Sequence, residues 1–289
     1  MMQPALTTTG TLSLPDQSLH YRVYRNPQAP ARRLVMLHGG GVAGKLTWES
    51  IIAHLSAWSE ILVPDLRGAG DTHYPDQVEH PFEIEEVAQD VRALVAHLGY
   101  AAFDVAGYSF GGLVAMVFKT LLPQAVQKTF LFEPALMATR NQTEQIAIRE
   151  RMLNAASYLK NPHTLEQGLQ IFLDAVSPNR SRGSRNEEIV RSRLAHRPAG
   201  LACAVESVSH AAKRLNRESL IAAQADVCVF AGGRSHPEIY RMCQEIAASR
   251  VDWRCHLIQG TDHALPFQKP VEIANLMNNN LASFSTLPA

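Results

Sequence analysis

The sequence has few cysteines, no excess of either charge and no long apolar run, and each shortage excludes a class of protein. The 4 cysteines in 289 residues form no C-x-x-C pair, so that no zinc or redox motif is present. Lys plus Arg and Asp plus Glu each number 27. A neutral chain gives no reason to expect nucleic acid or an anionic membrane as a partner. No apolar run approaches the roughly 18 residues that span a bilayer.

What is present is the composition of a globular protein. Hydrophobic residues make up 46% and charged residues 19% of the chain, which allows a large core in one domain or in one domain with an insertion. Residues 1–10 lack the basic and apolar regions of a secretory signal. Cys228 and Cys255 lie in apolar strand-like runs, where a thiol packs as a small core residue. We therefore expect a cytoplasmic protein with structural thiols.

Strand-like and helix-like segments alternate at both ends of the chain. Residues 11–25 predict an opening hairpin, and residues 84–98 have apolar side chains at a helical period. From 134 to 223 only helical patterns and polar loops occur. These cap helices are predicted over residues 141–159, 164–175, 187–195 and 201–214. The sequence thus predicts an α/β fold with a parallel sheet between helices, formed by residues 1–133 and 224–289, and an inserted helical cap over residues 134–223.

A serine lies in a glycine-rich turn between a predicted strand and a predicted helix. Gly107-Tyr108-Ser109-Phe110-Gly111 has the G-x-S-x-G pattern of a nucleophile elbow. A sharp reversal from strand to helix strains the backbone of the serine and lifts its hydroxyl above the sheet. A glycine-rich turn with an incidental serine is the alternative. The strand–helix context favours Ser109 as a nucleophile.

A second glycine run, His38-Gly39-Gly40-Gly41, follows the first short central strand. Glycines let backbone amides turn inward, and two amides aimed at one point stabilise a tetrahedral oxyanion by roughly 3–4 kcal/mol per donor. We assign these donors to Gly40 and Phe110, and we expect His38 to brace the loop. A phosphate loop is the alternative, but no G-x-G-x-x-G or Walker pattern is present. We expect no cofactor and no metal.

Among 12 histidines, His263 is favoured as the general base. It follows the last predicted strand and precedes the last predicted helix, so that it lies at the same sheet edge as Ser109. A neutral imidazole there can take the serine proton and later return it to a leaving group. His236 and His38 are the reserve candidates.

These motifs resemble those of the α/β-hydrolase superfamily, in its cap-bearing group of microbial serine esterases and related hydrolases. The matching segments occur in order and at family-like separations: His38–Gly41, Trp48, Pro64–Gly70, Gly107–Gly112 and Gly260–His263. The resemblance covers both flanks of the chain but not the cap. It implies an eight-stranded, mostly parallel sheet with Ser109 as nucleophile and His263 as base.

The third member of the expected triad departs from the usual family pattern. In most members the acid follows the strand that corresponds here to residues 227–231, but no aspartate lies near Ser235. Glu133 ends an earlier strand, at a place where some members, notably haloalkane dehalogenases, carry a glutamate acid. We therefore expect Glu133 to orient His263, with Glu238 as the fallback acid.

The cap supplies two further expectations. Six apolar side chains are candidates for an acyl pocket or, equally, for packing between cap helices: Met137, Met152, Leu153, Tyr158, Phe172 and Leu173. Residues 177–197 hold 6 arginines and 2 glutamates, six minus two leaving a local charge of +4. This stretch predicts either a solvated charged face or a landing surface for an acidic carrier protein. The arginines of that surface are Arg180, Arg182, Arg185, Arg191 and Arg193.

The sequence as a whole predicts a cofactor-free serine hydrolase that cleaves a carboxylic ester or thioester through an acyl-enzyme on Ser109. One alternative is an acyltransferase or thioesterase that acts on carrier-bound acyl chains in a biosynthetic pathway. Another is a non-catalytic member of the fold that binds a small ligand under its cap. A dehalogenase or an epoxide hydrolase is disfavoured, because a serine replaces the aspartate that those enzymes need as nucleophile.

Overall fold

The structure is a computed structural model, and it describes residues 3–136 and 141–282. An eight-stranded sheet runs through it in the order β1-β2-β4-β3-β5-β6-β7-β8. The strands are β1 Ala5–Ser13, β2 Ser18–Arg25, β3 Arg33–Leu37, β4 Glu60–Pro64, β5 Phe103–Tyr108, β6 Val126–Phe132, β7 Val227–Gly232 and β8 Trp253–Ile258. β2 pairs antiparallel with β1 and β4, and every other pair is parallel. The expected mostly parallel sheet is confirmed.

Helices cover both faces of this sheet. The helices of the flanks are α1 Gly44–Ile52, α2 Ile84–His97, α3 Phe110–Leu121, α9 Pro237–Ser249, α10 Leu265–Gln268 and α11 Pro270–Ala282. Residues 34–37 of β3 are all apolar because both faces of the strand are buried. Val35 and Leu37 pack into one core, whereas Leu34 and Met36 pack into the core on the opposite face. Strands buried on both faces have this pattern.

A helical insertion separates β6 from β7. Its helices are α4 Gln142–Leu159, α5 Leu165–Val176, α6 Arg185–Leu194, α7 Pro198–Arg214 and α8 Arg217–Ala222. The insertion has an apolar cluster of its own, in which Met152, Leu169 and Leu201 are buried together. Helix α7 also contacts α2 and α3 of the flanking layers. The insertion therefore lies over one edge of the sheet and has its own packed interior.

The predicted elements match the observed ones apart from their ends and two short helices, of which α10 has only 4 residues. Helix α8 was absent from the sequence-based prediction, because six residues are too few to show a helical period. Strand β1 begins at Ala5, earlier than predicted. For the last helix the sequence predicts residues 271–284; the structure has α11 at Pro270–Ala282, and residues 283 and 284 lie outside the described residues. Within residues 3–136 and 141–282, no helix is long and apolar enough to cross a membrane.

Candidate active site

Ser109 lies at the turn from β5 to α3 with a strained backbone. Its φ is 52° and its ψ is −113°, a backbone conformation that residues other than glycine rarely adopt. The Ser109 amide donates a hydrogen bond to the Phe132 carbonyl, and the Ser109 carbonyl accepts one from Ala135, each at 2.9 Å. These bonds tie the turn to the end of the neighbouring strand β6, so that surrounding structure holds the strain.

Two glycines allow the elements around this turn to approach closely. A Cβ at Gly107 would lie 2.8 Å from Cβ of Ala115, and a Cβ at Gly112 would lie 2.8 Å from Cα of Pro134. Neither distance is possible for real atoms without a backbone shift. The glycines therefore serve the packing of the turn against α3 and against the end of β6.

His263 reaches Ser109 from the loop between β8 and α10. Its Nε2 lies 3.0 Å from Oγ of Ser109, although 154 positions separate the two residues in the chain. The hydroxyl of Tyr108 donates a hydrogen bond of 2.9 Å to the backbone carbonyl of His263. This bond holds the histidine loop against strand β5, the strand that also positions the serine.

Glu133 lies directly behind the imidazole. Its Oε2 is 2.7 Å from Nδ1 of His263, and its Oε1 accepts a hydrogen bond of 2.7 Å from the Gly232 amide. The side chain is buried, and the backbone φ is 41°. Because the carboxylate accepts the Nδ1 proton, Nε2 carries a lone pair toward the serine hydroxyl. The arrangement orders a carboxylate, an imidazole and a hydroxyl in one hydrogen-bonded row.

The fallback acid lies elsewhere. Glu238 is in the first turn of α9 and forms an ion pair with Arg241 of the same helix. His236, a reserve base, caps α9 by accepting a hydrogen bond from the Glu238 amide, and its Nε2 is 3.3 Å from a carboxylate oxygen of Glu144. Among the residues that the structure describes, no contact joins Glu238 to His263. Glu133 therefore occupies the position that the fallback acid would need.

The two proposed oxyanion donors lie close to each other and line the cavity that contains Ser109. Phe110 is the first residue of α3, so that its amide has no partner within the helix. A Cβ at Gly40 would lie 3.8 Å from Cβ of Phe110. No hydrogen bond to a described residue occupies either amide. Gly40 and Phe110 line the same cavity as Ser109 and His263.

His38 is buried below this loop and has both ring nitrogens engaged. Nδ1 lies 2.7 Å from the Gly39 carbonyl, and Nε2 accepts a hydrogen bond of 2.7 Å from the Leu66 amide. Burial lowers the pKa of His38. A neutral imidazole with these partners braces the glycine loop and has no free nitrogen for proton transfer.

The cavity above Ser109, which we call the serine chamber, has a volume of about 120 Å³ and mostly apolar walls. Met152 and Phe172 of the predicted acyl pocket line it. Leu173 lines an adjoining cavity that also reaches Ser109. Leu153 borders a separate groove, and Tyr158 packs beside Gly168. Met137 lies outside the described residues.

Most of the cap arginines of the predicted carrier surface have partners. Arg180 pairs with Asp174 and Glu187, Arg182 with Asp174, and Arg191 with Glu166. Arg193 lies over the Phe267 ring, 5.1 Å from its centroid. Arg185 is in the first turn of α6. The sequence count of +4 omitted Asp174 and Glu166, which lie outside residues 177–197 and neutralise part of this charge.

One group of side chains outside the serine chamber has the composition of a metal site. Ligand atoms of His20, Asp65 and Asp71 all lie within 4.8 Å of one another. The Arg22 guanidinium is 2.9 Å from Asp65 and 2.7 Å from Asp71. A cation of the protein itself therefore already occupies the centre of this acidic group.

Comparison with known proteins identifies the family of this chain. A family model for the alpha/beta hydrolase fold matches residues 32–270. The chain belongs to the α/β-hydrolase family. The chain is 34% identical to a soluble epoxide hydrolase of Corynebacterium sp. (strain C12) over 39% of this chain and 38% of the relative. It is 30% identical to the lipase LipV of Mycobacterium tuberculosis over 49% of this chain and 50% of the relative.

Among solved structures, an esterase from Thermogutta terrifontis superposes with a TM-score of 0.74 and covers 97% of this α/β-hydrolase and 98% of its own chain, at 18% identity. That likeness concerns the fold alone. The two sequence matches span half or less of those relatives' length. The chemistry of this family member is therefore argued from its own side chains.

Sequence reasoning missed three features of the site, two hydrogen bonds and one residue that lines the cavity. They are the Tyr108 hydroxyl on the His263 carbonyl, the Gly232 amide on Glu133, and Arg149 of α4 in the wall of the serine chamber. Tyr108 and Gly232 adjoin predicted motifs, and the strand-end pattern could have identified them. No signal in the sequence distinguishes Arg149, because the cap has no motif that fixes which helix face points inward.

Proposed function

We propose that this α/β-hydrolase is a serine hydrolase that cleaves a carboxylic ester or thioester through an acyl-enzyme on Ser109. The observation that carries the proposal is the hydrogen-bonded row Glu133–His263–Ser109, with distances of 2.7 and 3.0 Å. An activated serine, a base and an orienting carboxylate in this order perform acyl transfer on several unrelated folds.

Each part of the site has a step in the reaction. Ser109 Oγ attacks the substrate carbonyl carbon while His263 Nε2 takes the hydroxyl proton. The amides of Gly40 and Phe110 donate to the oxyanion that forms. His263 then gives its proton to the departing alcohol or thiol, which leaves the acyl group on Ser109. A water molecule, deprotonated by His263, releases the carboxylic acid and restores the serine.

The reaction class follows from the nucleophile. Although one relative is named an epoxide hydrolase, epoxide hydrolysis in this family requires an aspartate where this chain has Ser109. A serine attacks an acyl carbon, which agrees with the names of the lipase and the esterase. The complete row of polar contacts also disfavours a purely ligand-binding role.

Acyl transfer from a carrier protein is less well supported. Arg180, Arg182 and Arg191 are paired with carboxylates of the insertion itself, and an acidic partner would have to compete with these pairs. The carrier surface stays a prediction. Water as the acceptor requires no additional surface.

The proposal is tested with the Ser109→Ala protein against a panel of aryl esters and thioesters of increasing chain length. We expect turnover by the unsubstituted protein and a loss of at least about 10⁴-fold in the variant. Ser157→Ala, on the exposed face of α4, is the matched control and should retain full activity. Equal turnover by all three proteins would contradict the proposal.

A further inference from the structure

One arginine lines the mostly apolar wall of the serine chamber. Arg149 lies on α4 and borders the cavity together with Ile148, Met152 and Val205. The other titratable groups of this wall are Glu133, His236 and His263. Glu133 and His263 are bound to each other, and His236 pairs with Glu144. Arg149 is therefore the titratable group of this wall for which no charged partner has yet been named.

Arg149 has no counterion in the part of the chain that the structure describes. Its Nε is buried and has no hydrogen-bond partner, and no ion pair joins its guanidinium to a carboxylate of residues 3–136 or 141–282. A separate groove also borders Arg149, and its acidic members Glu150 and Glu218 do not pair with it. By contrast, Arg180 of the same insertion has two carboxylate partners. Among the described residues, Arg149 is thus a guanidinium in the wall of the chamber with no carboxylate partner.

A partly buried cation whose Nε is shielded from water without a partner is costly for the folded protein. Burial alone lowers the pKa of Arg149 to about 10, so that the guanidinium still carries its charge near neutral pH. Removing a charge from water without a compensating group is unfavourable. A cost of this kind at a binding site is offset when an anionic ligand enters, since guanidinium and carboxylate form paired, parallel hydrogen bonds.

We propose that Arg149 binds a carboxylate carried by the substrate, so that the preferred substrates are esters or thioesters with a second, anionic carboxylate at the far end of an apolar chain. The inference deepens the proposed function and rests on it. Ser109 would act on the ester carbonyl, while the apolar wall formed by Ile148, Met152 and Val205 contacts the methylene groups between the two ends. Arg149 would be a specificity-determining residue with no part in the bond-breaking steps.

Two series of substrates show whether the carboxylate belongs to the acyl part or to the leaving group of the ester. One series consists of mono-aryl esters of succinic, glutaric and adipic acids, in which the carboxylate belongs to the acyl part. A second consists of acetyl esters of hydroxybenzoic acids, in which it belongs to the leaving group. Each anionic ester has a neutral partner of the same length, in which a methyl ester or methyl group replaces the carboxylate. The measured quantity is the ratio of kcat/KM for the anionic ester to that for its neutral partner.

Three variants report on the charge. Arg149→Met removes it, Arg149→Lys keeps it without the planar fork, and Arg151→Met removes an exposed charge from the same helix. We expect Arg149→Met to lower the ratio about 30-fold or more in one of the two series, mainly through KM. Arg149→Lys should recover part of the loss, and Arg151→Met should leave the ratio unchanged.

A second readout does not depend on turnover. The Ser109→Ala protein should bind an anionic ester of the series that responds in the kinetic test, as measured by calorimetry. The double variant Ser109→Ala/Arg149→Met should bind the same ester more weakly by a similar factor. If neutral esters are hydrolysed but the anionic ratio is the same with and without Arg149, the inference is wrong and the proposed function stands. An equal loss for neutral and anionic esters would assign Arg149 a structural role and would also overturn it. If no ester is hydrolysed at all, the proposed function itself fails.

Discussion

Oε2 of Glu133 lies 2.7 Å from Nδ1 of His263 across 130 positions of the chain. The carboxylate comes from the end of β6, where a left-handed backbone (φ 41°) turns it toward the loop after β8. The intervening strand β7 contributes the Gly232 amide, which holds the second carboxylate oxygen. Three adjacent parallel strands thus end at one point, and their order in the sheet makes the contact possible.

The first prediction concerns this contact. Glu133→Gln keeps the size of the side chain but replaces the acceptor that fixes the imidazole tautomer. We expect kcat to fall by about 10³–10⁴-fold with little change in KM, measured with an aryl ester. Glu238→Gln, which alters a carboxylate paired with Arg241, should stay within about twofold of the unsubstituted protein. The reverse order of effects would transfer the role of acid to Glu238.

A second prediction follows from the strain at Ser109. A residue at φ 52° and ψ −113° costs roughly 1–3 kcal/mol unless it is glycine. Ser109→Gly should therefore be more stable than Ser109→Ala by about 1 kcal/mol in urea unfolding, although both are inactive. Equal stability of the two variants would show that the turn is not strained.

A third prediction concerns alkaline stability. Burial first, and then the negative charges of Glu133 and Asp262, raises the pKa of Tyr108 above its usual value of 10.0. The folded state keeps the phenol proton when the unfolded state loses it, so that the stability contribution is complete below about pH 10 and is lost as the pH rises further. Tyr108→Phe should show a smaller decrease in unfolding free energy between about pH 9 and pH 11. A parallel decrease in both proteins would contradict this.

A fourth prediction concerns the thiols. Burial raises the pKa of Cys203 to about 11 and that of Cys228 to about 12. Because the thiolate is the reactive form, we expect neither cysteine to react with a thiol reagent near pH 8 until the protein unfolds. Mass spectrometry of the labelled peptides, with and without denaturant, measures this. Rapid labelling of Cys203 or Cys228 in the native protein would contradict the burial of the labelled residue.

Much of the sheet and the site could be predicted because their signals are local. Residues 34–37 of β3 form a short, continuous apolar run that leads into a glycine loop, and such a run is typical of a strand buried on both faces. The same strand-end rule placed Ser109, Glu133 and His263 at one edge of the sheet. Their proximity needs only the parallel order of the strands, which the alternating pattern indicates.

The cap was less accessible to sequence reasoning. Its helices could be located by their period, but their orientation depends on packing against α3 and against each other. For this reason the pattern could not distinguish Met152, which lines the serine chamber, from Leu153, which faces a separate groove. Arg149 and Arg180 likewise look alike in sequence, although within the described residues Arg149 lacks a counterion and Arg180 has two.

Covalent labelling tests the central claim most directly. A fluorophosphonate probe reacts with a serine only when a base has activated its hydroxyl and an oxyanion site accepts the phosphonyl oxygen. The account predicts one phosphonyl group per chain, on the peptide that contains Ser109, and a strong loss of labelling in a His263→Ala variant. Modification of a different serine, or no modification of a protein that hydrolyses esters, would contradict it.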